Sequence, residues 1–181
     1  MSVLSHCPPE YVTYFNQPAG EEHYRLLERL VRGKQGVVVD LGTLYGLSAL
    51  ALSSNPHVEV WSYDIHNHIP NDARIRQIPN ISFRIKNGLD AIPDFVDRTD
   101  LIILDIDPHD GIQEAQCIDL LLKHGYHGTV VCDDIHLNGP METWWNSVDL
   151  PKQDVTAQGH HSGTGIIHFD GIRELNDDDC E

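Results

Sequence analysis

Basic residues are scarce in this chain. Of its 181 residues only 12 are Lys or Arg, against 28 Asp or Glu, for a formal charge of −16. Such a surface repels nucleic acid and anionic lipid and serves solubility; small cations, sulfonium groups and metal ions are easier partners. No apolar run approaches the roughly 20 residues of a membrane helix. The opening stretch, MSVLSHCPPEYVTYF, has neither a basic start nor an apolar core, so no signal peptide is expected and the cytoplasm is the default location. Cysteine is sparse: Cys7, Cys117, Cys132 and Cys180 form no CxxC pair, which argues against a zinc ribbon. Cys117 and Cys132 lie in apolar segments and read as small, reduced core residues. No internal repeat, low-complexity linker or break in composition divides the chain. One domain is expected over residues 18–170, with an N-terminal extension at 1–17 and an acidic tail at 171–181.

What is present is an alternation. Residues 18–33 read as a helix with Tyr24, Leu27, Leu30 and Val31 on one face, stopped by Gly33. Five short apolar runs follow, at 37–40, 58–65, 81–87, 100–107 and 128–136. The first, fourth and fifth are continuous β-branched or aliphatic runs, as parallel strands covered on both faces are. LSALALSS separates the first two, and a helical segment with Ile112, Ala115, Ile118, Leu121 and Leu122 on its apolar face separates the fourth and fifth. Asp110 and Gln113 are placed for a capping box and Gly125 for a stop. Prolines limit any helix in HNHIPNDARIRQIPN to about two turns. Near the end, DVTAQGHH and GTGIIHFD are joined by Ser162 and Gly163, too close for a crossover, and imply an antiparallel hairpin. The expected fold is therefore α/β: a Rossmann-like, seven-stranded, mostly parallel sheet with an antiparallel C-terminal hairpin and helices on both faces.

The first strand ends in DLGTLYG, with Asp40, Gly42 and Gly46. A dinucleotide turn has three glycines and rests pyrophosphate on the following helix. Here one glycine is missing and an acid stands at the ligand position. At about 5 Å and an effective dielectric near 20, an aspartate beside a phosphate costs roughly 3 kcal/mol. The same acid attracts a ligand carrying an ammonium and a sulfonium. Asp64 ends the second strand, where it can accept hydrogen bonds from ribose hydroxyls, and Asn87-Gly88 ends the third, leaving room for a base. Read structurally, Asp40 only caps the next helix and the glycines only turn the chain.

With these residues the chain resembles the class I S-adenosylmethionine-dependent methyltransferases over about residues 18–170. The resemblance implies S-adenosyl-L-methionine as cofactor. It implies contacts from Asp40, Gly42, Thr43, Tyr45, Gly46 and Ser48 in the first turn, Asp64 and Ile65 after the second strand, Asn87 and Gly88 after the third, and Asp105 after the fourth. The family's antiparallel seventh strand, returning beside the fifth, matches the hairpin.

LDIDPHDG and CDDIH bring Asp105, Asp107, Asp133 and Asp134 to the same sheet edge, where open α/β sheets bind ligands. Four acids repel unless a proton or cation neutralises them, and oxygen donors suit Mg2+, with Mn2+ or Ca2+ as alternatives. The pattern is similar to the metal-dependent O-methyltransferase branch, of catechol and macrolide-sugar type. That implies Asp105, Asp133 and Asp134 as metal ligands and Asp107 as a substitute. The branch carries a Lys or His three places beyond the first acid, where this chain has Pro108. His109 through a shifted loop, or His136, is then the candidate base, or the metal alone suffices. His66, His68, His160 and His161 match no zinc spacing and read as solvated or locally bonded; His23 either borders the cofactor or is an exposed helix residue. Trp144 and Trp145 wall a flat substrate or pack on the sheet.

The function expected is methyl transfer to a hydroxyl of a small molecule, with no nucleic-acid or membrane partner. A homodimer is compatible with the sequence, which fixes no oligomeric state. The alternatives are a non-catalytic nucleotide-binding or assembly module and an NAD-dependent oxidoreductase.

Overall fold

The computed structural model describes residues 7–15 and 18–170. The acidic tail and Cys180 lie outside the described residues, as do residues 1–6, 16 and 17 of the N-terminal extension. Seven strands form one sheet: β1 Gly36–Leu41, β2 Val58–Asp64, β3 Ile81–Ile85, β4 Thr99–Leu104, β5 Thr129–Asp133, β6 Lys152–Asp154 and β7 Thr164–His168. Their order is β3-β2-β1-β4-β5-β7-β6. The first five are mutually parallel, while β7 runs antiparallel to both β5 and β6.

Alternating side chains split the core into two layers, as the two-residue period of a strand requires. Val38, Leu101, Ile103, Val131 and Ile166 face α2 (Pro18–Val31) and α3 (Leu47–Leu52). Val39, Ile102, Leu104, Val130 and Ile167 face the other way, toward α4 (Gly88–Phe95), α5 (Ile112–Lys123) and α6 (Gly139–Ser147). A four-residue α1, Val12–Phe15, precedes α2. Among the described residues no helix is long and apolar enough to cross a membrane.

Several local expectations change. The helix α4 was not legible from GLDAIPDF, because Gly88 opens it and Pro93 lies inside it; Asn87 caps it, its Oδ1 accepting the Leu89 and Asp90 N–H groups. Asn138 caps α6 in the same way through Met141 N–H. On α5, Ile112 and Leu122 are exposed and Glu114 is buried. The inward face is therefore Glu114, Cys117, Ile118 and Leu121. Asp110 accepts the Ile112 N–H, but Gln113 reaches Asp107 O instead of closing a capping box. Gly125, at φ 68°, ends α5 with the Gly125 and Tyr126 N–H groups bonded to Leu122 O and Leu121 O.

The terminal hairpin exists with a longer connection. Its first strand lies earlier than DVTAQGHH, at Lys152–Asp154, because Asp154 Oδ1 accepts the Thr156 N–H and draws the chain into a 3-10 turn, Thr156–Gln158. Residues 155–163 form a loop that returns over the sheet edge. Trp144 and Trp145 pack on the sheet: both are buried, and a Cβ on Gly165 would stand 2.5 Å from the Trp145 ring.

Candidate functional site

The order reverses between β1 and β4, and a crevice opens at the carboxyl ends of the strands there, as it does in open α/β sheets generally. It is a cleft of about 540 Å³. Gly42 forms its floor. At φ 104° a Cβ on Gly42 would lie 1.6 Å from the Asp105 carbonyl oxygen, so only glycine lets the β1 turn cross the end of β4. The crossing is tied down by Gly42 N–H to Tyr63 O and Asp105 N–H to Leu41 O.

Asp64 stands on the wall. Its Oδ2 accepts the Leu44 N–H at 3.0 Å and its Oδ1 the His66 N–H at 2.9 Å, which fixes the carboxylate by backbone alone. Ser48, Ile65, Asn87, Gly88 and Asp105 also line the cleft. Asp40 does not. It has no exposed surface; its Oδ2 accepts the Ser62 hydroxyl at 2.6 Å, and Oδ1 has no hydrogen-bond partner among the described residues. The cause is the pleat: Asp40 and Ser62 are paired across β1 and β2 and point to the same side, beneath the floor. Burial pushes Asp40 up to about 7 against the opposing Ser62 hydrogen bond. Thr43 likewise turns inward, its Oγ1 2.6 Å from Ser62 Oγ. Gly46 packs near Ile69, Ile75 and Phe83, and Tyr45 is half-exposed outside the wall.

The other end of the cleft is assembled by side chains from several elements. Asp105 follows β4, Asp133 ends β5, and Asp134 bends away at φ 60°. His109, itself at φ 55° after a cis Asp107–Pro108 bond, lays its ring among carboxylates. Its Nε2 is 3.8 Å from Asp105, 3.6 Å from Asp107 and 3.7 Å from Asp134, and its Nδ1 is 3.9 Å from Glu114 Oε1. Both carboxylate oxygens of Glu114 lack hydrogen-bond partners among the described residues, and burial raises its pKa. Burial, then the charge of a neighbouring aspartate, raises Asp105 and Asp133. Burial alone would raise Asp134 too, but hydrogen bonds with His160 and Ser162 outweigh it and hold Asp134 low.

The donor sets that close to within 4.8 Å are Asp105–His109–Asp134 and Asp133–Asp134–His160. The expected all-acid set of Asp105, Asp133 and Asp134 is not among them; Asp134 belongs to both sets and histidine completes each. His136 leaves the site. Beyond the Asp134 bend its Nε2 lies 2.8 Å from Asp154 Oδ2, outside the cleft, so it is not placed to act as a base. His160 and Ser162, read from sequence as ordinary hairpin residues, come in with the 155–163 loop. Ser162 Oγ contacts both Asp134 Oδ1 and His160 Nδ1. His23 arrives from α2, buried, with Nδ1 3.8 Å from Asp133; burial first, then His160, lowers it to about 4. His66 and His68 line the opposite wall, His68 3.8 Å from Asp64. Glu114 carried one signal in sequence, a Glu on the same helical face as Cys117, Ile118 and Leu121.

No protein-family model matches the chain, and no curated protein matches it. Solved structures do. One is the O-methyltransferase TomG from Streptomyces achromogenes, involved in tomaymycin synthesis and solved with S-adenosylmethionine. It is 17% identical, covers 93% of this chain and 89% of its own, and has a TM-score of 0.63. The Podospora anserina methyltransferase PaMTH1, solved with S-adenosylhomocysteine, is 14% identical over 92% and 86% with a TM-score of 0.64. A methyltransferase from Geobacter sulfurreducens is 13% identical over 92% and 88% with a TM-score of 0.60. At these identities the likeness is one of fold: the chain has the class I methyltransferase architecture, including the antiparallel β7 between β5 and β6.

Proposed function

We propose that this protein is an S-adenosylmethionine-dependent methyltransferase that methylates a hydroxyl of a small molecule with the help of a divalent cation. One observation carries the reading. The cleft is lined by Asp64, Asp105, Asp107, Asp133 and Asp134, and by no Lys or Arg among the described residues. That lining repels a pyrophosphate and attracts a ligand that carries an ammonium and a sulfonium, which weighs against an NAD-dependent oxidoreductase.

The residues present fit such a ligand. Gly42 and Gly88 let the backbone around the cleft pack closely: a Cβ at Gly42 would collide with the Asp105 carbonyl, and one at Gly88 would stand 3.2 Å from Leu41. Asp64 keeps lone pairs free for ribose hydroxyls while its position is held by two backbone N–H groups. Asp105 faces the cleft and is placed for the ammonium. S-adenosylmethionine supplies an electrophilic methyl on sulfur, and a divalent cation at the acidic mouth lowers the pKa of a coordinated hydroxyl.

His109 is the base in this reading. Its Nε2 faces the cleft and takes the hydroxyl proton, and the resulting imidazolium is stabilised by the surrounding carboxylates. Glu114, behind Nδ1 at 3.9 Å, lies where it can hold the ring and its charge. Positioning of the two reactants on one sheet edge supplies much of the remaining rate.

Titration calorimetry tests the core of the reading. S-adenosylhomocysteine is expected to bind with micromolar affinity and NAD to give no heat. Binding of NAD, or of neither ligand, overturns the proposal.

A further inference from the structure

We propose that Asp133, Asp134 and His160, with the buried His23 beside Asp133, form a site for a borderline divalent transition ion, of the series from Mn2+ to Zn2+, in place of Mg2+. The inference sharpens the metal-assisted part of the function proposed above and rests on it for its catalytic meaning, though the site itself is defined by geometry. Four side chains from three elements converge. His23 comes from α2, Asp133 and Asp134 from the end of β5, and His160 from the loop before β7.

The separations among Asp133, Asp134 and His160 suit an ion, their donor atoms lying within 4.8 Å of one another, and His23 stands outside that set, against Asp133. Ligand bonds of about 2.0–2.2 Å keep any two donor atoms within about 4.4 Å of each other. His160 Nδ1 is 3.3 Å from Asp134 Oδ1 and 3.8 Å from Asp133 Oδ1, and His23 Nδ1 is also 3.8 Å from Asp133 Oδ1. At 3.8 Å the His23 contact is too long for a hydrogen bond. Ser162 Oγ bridges Asp134 Oδ1 and His160 Nδ1 and holds that pair together.

His23 supplies the independent observation. Its side chain keeps only 4% of its surface, and Nδ1 has no hydrogen-bond partner among the described residues. An unpaired imidazole nitrogen buried against a carboxylate is costly. A bound ion would remove that cost, because the nitrogen and the carboxylate oxygen would both donate to it. The donor chemistry selects the class of ion. Mg2+ takes oxygen ligands and retains several waters, whereas imidazole nitrogen suits the borderline transition metals. Two imidazoles beside two carboxylates make a mixed nitrogen and oxygen set, unlike the all-oxygen set that the strand-end aspartates alone would offer.

The test uses the full chain, stripped with a chelator, and Co2+ as the probe, followed by visible absorption and calorimetry against Mg2+. Co2+ is expected to bind at least tenfold more tightly than Mg2+ and to develop ligand-field bands. His160→Ala and His23→Gln should each weaken Co2+ tenfold or more, while His124→Ala, at the exposed C-terminal cap of α5, leaves it unchanged. Circular dichroism checks folding; if His23→Gln does not fold, the His160→Ala result decides. Equal or tighter Mg2+ binding overturns the proposal, as does failure of Co2+ to bind or indifference of its affinity to both substitutions. S-adenosylhomocysteine is titrated into the same metal-free samples. If it binds and Co2+ does not, this inference fails alone; if it does not bind, the methyltransferase reading fails whatever Co2+ does.

Discussion

The two ends of the cleft are built on different principles. At the β1–β2 end the geometry belongs to the backbone: Gly42 crosses β4 with no room for a Cβ, and Asp64 is fixed by two N–H groups, one from His66 just after it and one from Leu44 in the turn after β1. At the β4–β5 end the geometry belongs to side chains drawn from α2, the loop after β4, α5 and the loop before β7, which meet as charges. The first end is rigid and local, so it can hold a constant ligand. The second is an electrostatic balance, and a change of charge there alters chemistry before it alters fold.

Substitutions can break or sharpen that contrast. The largest effect is expected at the backbone-built end. Gly42→Ala should destabilise the protein by about 4 kcal/mol or more, measured by urea denaturation, because a Cβ meets the Asp105 carbonyl and φ 104° is hostile to other residues. At the other end His109→Ala should leave the melting temperature nearly unchanged and lower kcat by about 10²- to 10³-fold. A fold-breaking His109→Ala, or a benign Gly42→Ala, would erase the distinction. Asp64→Ala should weaken S-adenosylhomocysteine by about 10- to 100-fold in calorimetry, with Asp133→Asn changing it little.

A smaller effect concerns the acid beneath the floor. Asp40 is raised from 3.8 to about 7 in the folded chain. The folded state then binds a proton that the unfolded state has lost, so this contribution is full below about pH 4 and disappears as pH rises through 7. Stability should fall by on the order of 2 kcal/mol between pH 5 and pH 7, and Asp40→Asn should flatten that slope in denaturation at the two pH values. The smallest effect is at His136, whose contact with Asp154 is exposed. His136→Ala should change stability by less than about 1 kcal/mol and leave turnover intact.

The same division explains what could be read from the sequence. The alternation of strand and helix, the antiparallel end and the positions of Gly42, Asp64 and Asp105 follow from local pattern, since a strand's end and its turn are neighbours in the chain. Asp40 and Thr43 were read as ligand-facing because they flank the turn, yet the β1–β2 pairing turns both toward Ser62. His136 was close in sequence to Asp134, but the left-handed Asp134 carries it to Asp154. His160 lies 26 residues from Asp134, and Glu114 lies on a helix whose apolar period suggested a different inward face. These placements depend on which elements pack together. Periodicity reports which face is buried and says nothing of the partner across it.

The seating of β7 has a consequence for how the chain is made. It is the last strand of the sheet to leave the ribosome, and it belongs between two that precede it. Until it arrives, the Val130–Val131 stretch of β5 has an open hydrogen-bonding flank and β6 has no neighbour. A nascent chain halted before Thr164 would present a sticky, aliphatic margin to other chains. Insertion of one short segment closes that hazard and, in the same event, delivers the loop that completes the mouth of the cleft.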